Sequence, residues 1–167
     1  MSCAGRTDGR TDGRNEGRAE LDAGSSLAAG DGMVAGTPAD AAAERAKALI
    51  LVADDDPDLL EVISAALTYR GYRVATARHG KEALERVEEE LPQLVLLDMT
   101  MPVMDGWTFA RALRERHGRS IPIVVITAAE DSQLRAEEVG AEAELGKPFD
   151  LQQLQDVVED ALVDVAP

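Results

Sequence analysis

Leu49-Ile50-Leu51-Val52-Ala53-Asp54-Asp55-Asp56-Pro57 is five apolar residues, three acids and a proline in direct succession. An unbroken apolar run of this length reads as a strand covered on both faces, the habit of central strands in parallel sheets. The acids mark the strand's end. Asp56 directly before Pro57 reads as a helix start, with the aspartate as cap and the proline in the first helical position. Leu59, Leu60, Ile63 and Leu67 then supply an apolar helical stripe, and Gly71 closes it.

Outward from this stretch the same pattern repeats. Leu94 to Leu97 and Ile121 to Ile126 are further unbroken apolar runs, expected in the centre of the sheet, whereas Tyr72 to Thr76 and Ala143 to Leu145 are weaker and fall at its edges. Asp150 followed by Gln153 resembles a capping box, and Leu151, Leu154, Val158 and Leu162 form the expected buried stripe of a last helix. Five strands alternating with five helices argue an α/β protein with a parallel sheet covered on both sides. Ligands of such sheets gather at the carboxyl ends of the strands. There the chain carries Asp54 and Asp55 after strand one, Asp98 at the end of strand three, Thr127 after strand four and Lys147 after strand five.

Carboxylates gathered at one sheet edge, with a lysine as counterweight, suit a divalent cation and a phosphoryl group. Asp98 is the candidate nucleophile, since a carboxylate can accept a phosphoryl group as an acyl phosphate. Mg²⁺ fits an all-oxygen site of one or two carboxylates completed by water and phosphate. Neighbouring residues have plainer readings. Asp56 is a helix cap, Asp105-Gly106 a turn before a helix, and Thr127 has a competing reading as a helix cap. Lys147 stands in a Lys-Pro step with Pro148 a candidate cis residue. Trp107 and Phe109 read as helix packing, and Met99, Met101 and Met104 as gap fillers. His79 and His117 receive no role.

Leu-Val-Ala-Asp-Asp-Asp-Pro (51–57), Leu-Leu-Asp-Met-Thr-Met-Pro-Val-Met-Asp-Gly (96–106), Ile-Thr-Ala (126–128) and Gly-Lys-Pro-Phe (146–149) together resemble the signature segments of two-component response-regulator receiver domains, including single-domain, chemotaxis-regulator-like members. The resemblance covers roughly residues 47 to 165 and implies a flavodoxin-like, doubly wound sheet in the order 2-1-3-4-5. It also implies Asp98 as phosphoacceptor, Asp55 and Asp98 as direct Mg²⁺ ligands, Asp54 acting through water and the backbone carbonyl of Thr100 as a further ligand. Lys147 and the Thr127 hydroxyl would hold the transferred group. The implied partners are a sensor histidine kinase or phosphotransfer protein and a protein output target, with the chain monomeric or weakly dimeric. A receiver-fold interaction module working without phosphorylation is the alternative. A flavodoxin-like cofactor binder lacks its Gly-rich phosphate loop here, and a phosphatase lacks its second aspartate because Thr100 stands in that position. Two departures from the family pattern stand out: Glu144 occupies the usual aromatic switch position three residues before Lys147, and the segment from Thr127 to Lys147 is slightly short.

The formal charge of −15 over 167 residues disfavours nonspecific nucleic-acid binding. No apolar tract spans a membrane, no secretory signal opens the chain, and the single Cys3 makes no internal disulfide, so a cytoplasmic protein is expected. Residues 1 to 45 differ in kind. Thr7-Asp8-Gly9-Arg10 is repeated as Thr11-Asp12-Gly13-Arg14, and Gly and Ala dominate up to Ala43. With few large apolar residues, this extension is expected to be disordered, and residues 46–167 to form the receiver. The few residues after the last helix lead to the expectation of a stand-alone receiver.

Overall fold

Five parallel strands form one sheet in the order β2-β1-β3-β4-β5 in the computed structural model, which describes residues 37–46, 48–128 and 130–163. They are β1 (Leu49–Ala53), β2 (Arg73–Ala77), β3 (Leu94–Asp98), β4 (Ile123–Ala128) and β5 (Ala143–Lys147). Six helices accompany them: α1 (Pro38–Arg45), α2 (Pro57–Tyr69), α3 (Gly80–Glu89), α4 (Gly106–His117), α5 (Ser132–Val139) and α6 (Leu151–Val163).

Period-two alternation sorts the buried side chains onto two faces. Ile50, Val52, Leu94, Leu96, Val124 and Ile126 pack against Ile63 and Leu67 of α2 and Leu154 and Val158 of α6. Leu51, Leu97, Ile123 and Val125 meet Ala83 and Val87 of α3, Phe109 and Leu113 of α4 and Ala136 of α5. Every residue of β1 and β3 is buried, whereas β2 and β5 at the edges are partly exposed. Helix starts follow local chemistry. The Asp56 carboxylate accepts from the backbone N–H groups of Asp58 and Leu59 at 3.0 and 3.3 Å. Asp150 and Gln153 exchange reciprocal bonds of 2.9 and 2.8 Å, closing the expected capping box.

Four expectations need correction. Among the described residues the helices number six, not five, because Pro38–Arg45 forms a helix within the segment expected to be disordered. Its causes are local. Thr37 and Asp40 cap one another, with Asp40 N–H donating to Thr37 Oγ1 at 3.2 Å and Thr37 N–H to Asp40 Oδ2 at 3.0 Å, and the alanines that follow favour helix without needing a core. Residues 1–36, the rest of that expectation, lie outside the described residues. Strand four runs two residues later than expected, since Pro122 has no N–H to give and instead accepts from Val95 through its carbonyl at 3.0 Å. Thr127 is therefore within β4, and Lys147 is the last residue of β5. On α6 the buried stripe is Leu154, Val158 and Ala161, an i, i+4, i+7 face complete without Leu151, which is 49% exposed.

Candidate functional site

The strand registers bring the acids together. Ala53 pairs with Leu97, so Asp54, one step on, comes opposite Asp98. Asp98 pairs with Ile126 on its other side, placing Thr127 one step beyond at the same edge, and Ala128 pairs with Lys147. One carboxylate oxygen from each of Asp54, Asp55 and Asp98 lies within 4.8 Å of the others. Asp54 and Asp98 are 2% and 5% exposed, while Asp55 faces solvent. Lys147 Nζ donates to Asp54 Oδ2 at 2.7 Å and lies 3.6 Å from Asp98 Oδ1. Thr127 is buried at the rim. It does not cap α5, which begins at Ser132 after Asp131.

Both oxygens of Asp54 accept hydrogen bonds, one from Lys147 and the other from the backbone N–H of Asp56 at 2.9 Å. Asp98 is left as the less satisfied acid. Burial pushes its carboxyl up to about 6, against the attraction of Lys147 and with help from the charges of Asp54 and Asp55. Burial presses the Lys147 ammonium down, but its bond to Asp54 and the charges of both aspartates outweigh this and hold it above the usual lysine range. Three carboxylates against one ammonium leave surplus negative charge on a set of oxygen donors, which suits a hard divalent cation of the Mg²⁺ kind. Thr100 is exposed and meets Asp98 through its backbone N–H.

The loop after Asp98 is held by two close backbone approaches. Gly106 N–H donates to the Met99 carbonyl at 3.0 Å, and a Cβ there would come 2.7 Å from the Asp98 carbonyl oxygen and 2.8 Å from Met99 Cα. Gly80 N–H donates to the Met104 carbonyl at 2.9 Å. Asp105 caps α4, accepting from Thr108 N–H at 2.8 Å. Phe109 and Met99 are fully buried and Met101 nearly so, as packing residues should be.

Sequence reading missed three things. His79 is a helix cap, its Nδ1 accepting from Glu82 N–H at 3.1 Å. Arg114 ties distant loops together through the carbonyls of Ile121 (2.8 Å) and Gly140 (3.0 Å) and the Glu142 carboxylate (3.1 Å). Trp107 does more than pack: its indole N–H donates to Glu138 at 2.7 Å beneath the Arg135 guanidinium. Only the position of His79 before Gly80 and a helical stretch carried a signal; the other two are contacts between distant segments. Glu144 is exposed, as its charge requires, with Ser132 Oγ 3.5 Å away.

Residues 50–159 match the family described as the response regulator receiver domain. Response regulator MprA of Mycolicibacterium vanbaalenii is 39% identical over 107 residues, which cover 63% of this chain and 46% of that protein. The probable transcriptional regulator ycf27 of Porphyra purpurea is 36% identical over 114 residues, 67% of this chain and 46% of that one. The matched region thus spans less than half the length of these curated relatives. Among solved structures, the chemotaxis protein CheY4 of Vibrio cholerae superposes with a TM-score of 0.63 at 31% identity, covering 69% of this chain and 98% of that one. The receiver domain of NtrX from Brucella abortus gives 0.64 at 29% identity, covering 68% and 98%. With the sheet order, the acidic edge and the family match in agreement, the chain belongs to the response regulator receiver domain family of two-component signalling.

Proposed function

We propose that this chain is a phosphoacceptor: Asp98 takes a phosphoryl group from the phosphohistidine of a sensor histidine kinase or phosphotransfer protein, with Mg²⁺ bound, and later loses it to water. The observation that carries the reading is the convergence of the Asp54, Asp55 and Asp98 oxygens within 4.8 Å, with Lys147 against both buried acids. A carboxylate oxygen of Asp98 attacks phosphorus and forms a P–O bond while the P–N bond of the phosphohistidine breaks. The imidazole leaves with the electron pair and takes a proton. Lys147 draws charge from the transferred group, and the Thr127 hydroxyl donates a hydrogen bond to it.

The residues that would hold the metal are Asp55 and Asp98 directly, Asp54 through water and Thr100 through its backbone carbonyl. When bound, it supplies charge neutralisation for a phosphoryl group arriving among carboxylates. Asp54 keeps Lys147 in place through its 2.7 Å bond. The output is contact with a protein target in the cytoplasm, not chemistry on a small substrate, and the acidic surface argues against nucleic acid as the direct ligand. The receiver works as a monomer or weak dimer.

Intact-mass measurement after incubation with acetyl phosphate and Mg²⁺ tests the reading. One phosphoryl group is expected on the wild-type chain, and none on Asp98→Asn or when Mg²⁺ is chelated. Equal labelling of the variant would overturn the assignment, and an unlabelled wild-type chain would favour a receiver-fold module that signals without phosphorylation.

A further inference from the structure

Helix α5 buries fewer and smaller side chains than α4 or α6. It has eight residues, its buried positions are the small Ser132 and Ala136, and its N-cap Asp131 makes no side-chain capping bond. Its larger apolar residues are Val139, only partly buried against the core, and Leu134, 53% exposed, so the apolar burial that holds it is modest. What it has instead is a polar clamp. Trp107 Nε1 donates to Glu138 Oε2 at 2.7 Å, Arg135 lies 4.8 Å from the centre of the indole ring, and Arg135 Nη1 is 3.2 Å from Glu138. The bond from Trp107, followed by that from Arg135, holds the Glu138 carboxyl below its ordinary range.

The other end of this clamp leads straight to Asp98. Trp107 follows Gly106, whose Cα is pressed so closely on the Asp98 carbonyl and Met99 Cα that a Cβ would stand 2.7 and 2.8 Å from them. Gly106 N–H is also bonded to the Met99 carbonyl. Displacement of the Asp98–Met99 peptide therefore passes to Gly106 through backbone contact, with no flexible side chain between. A second connection reaches the N-terminus of α5 from Thr127, through Ala128 and the 3.0 Å bond from Asp131 N–H to the Ala128 carbonyl. On β5, by contrast, Glu144 faces solvent, with Ser132 Oγ of α5 donating to its carboxylate at 3.5 Å.

Resting on the phosphoacceptor reading above, we propose that Trp107, clamped by Glu138 and Arg135, is the positioning residue that transmits the state of Asp98 to helix α5. Changes at the Asp98–Met99 peptide move the first turn of α4, and the indole carries that movement to the middle of α5, while Thr127 acts on its N-terminus. The two inputs meet on one lightly held helix.

Trp107 is the only tryptophan in the chain, so indole fluorescence reports on this clamp alone. The test follows the full chain with and without acetyl phosphate and Mg²⁺, by intact mass, by fluorescence and by amide exchange across residues 132–139. In the wild type, one phosphoryl group should be accompanied by a fluorescence change and a change in α5 exchange of about fivefold or more. W107F and the surface variant E138A should still be labelled but lose most of the exchange change, and E138Q, which keeps an acceptor oxygen, should restore much of it. Labelled W107F and E138A with the wild-type exchange change would overturn the coupling and leave the phosphoacceptor reading intact. An unlabelled wild-type chain would overturn both.

Discussion

Replacing Asp98 by asparagine is expected to stabilise the fold in metal-free buffer, although it removes a partner of Lys147. The carboxyl's ordinary value is 3.8 and its value in the folded chain is about 6, with burial as the leading cause. The folded state therefore binds a proton more tightly than the unfolded one. The stability contributed by this group is full below the unfolded value and is lost as pH rises through about 6. At about pH 8 both states are ionised, and the penalty for keeping Asp98 charged in the fold is about 3 kcal/mol; at about pH 5 it is about half that. Asparagine has the shape of the neutral acid and escapes the penalty, while Lys147 keeps its 2.7 Å bond to Asp54. Urea unfolding of both proteins in chelator should show the variant more stable by about 2–3 kcal/mol at pH 8, with the difference shrinking toward pH 5. Millimolar Mg²⁺ should narrow the difference at pH 8, because a ligand that binds the folded wild type more tightly raises its stability more. A variant no more stable than wild type at pH 8, or a difference that ignores pH, would refute the account of Asp98 as an acid whose charged form is penalised by burial.

Gly106→Ala should destabilise the fold by about 1–3 kcal/mol and slow Asp98 labelling, since the new methyl would meet backbone atoms that have nowhere to go; thermal melts and a labelling time course check it. Leu96→Ala, in the middle of a fully buried strand, should lower stability by about 2–5 kcal/mol in urea titrations while the remaining folded protein still accepts a phosphoryl group. Residues 1–36 are proposed to be dispensable for the receiver: a chain starting at Thr37 should melt and label like the full one, and a clear drop in melting temperature would reject this.

Much of the architecture was legible because its causes are local or periodic. Unbroken apolar runs located the buried centres of β1 and β3, and the Asp56-Pro57 and Asp150/Gln153 pairs announced two helix starts through bonds spanning only two or three residues. The helix at Pro38–Arg45 was equally local, but its Thr37/Asp40 cap was hidden by reading that whole segment for its lack of a core. Strand limits slipped where one residue altered the ladder, as Pro122 did before β4.

The residue types at the site and the sheet edge they occupy were determined by the sequence alone, because a parallel α/β chain puts every strand's carboxyl end on one side. Only the tertiary structure decided how those residues share charge: that Lys147 bonds Asp54 and merely approaches Asp98, leaving Asp98 the acid with the raised carboxyl. It alone showed Gly106 pressed on the Asp98 carbonyl and Trp107 held by Glu138, 31 residues away. Hydrogen-bond partners, burial and close approach depend on distances between segments far apart in the chain, and residue order carries no such distance until the helices have packed on the sheet.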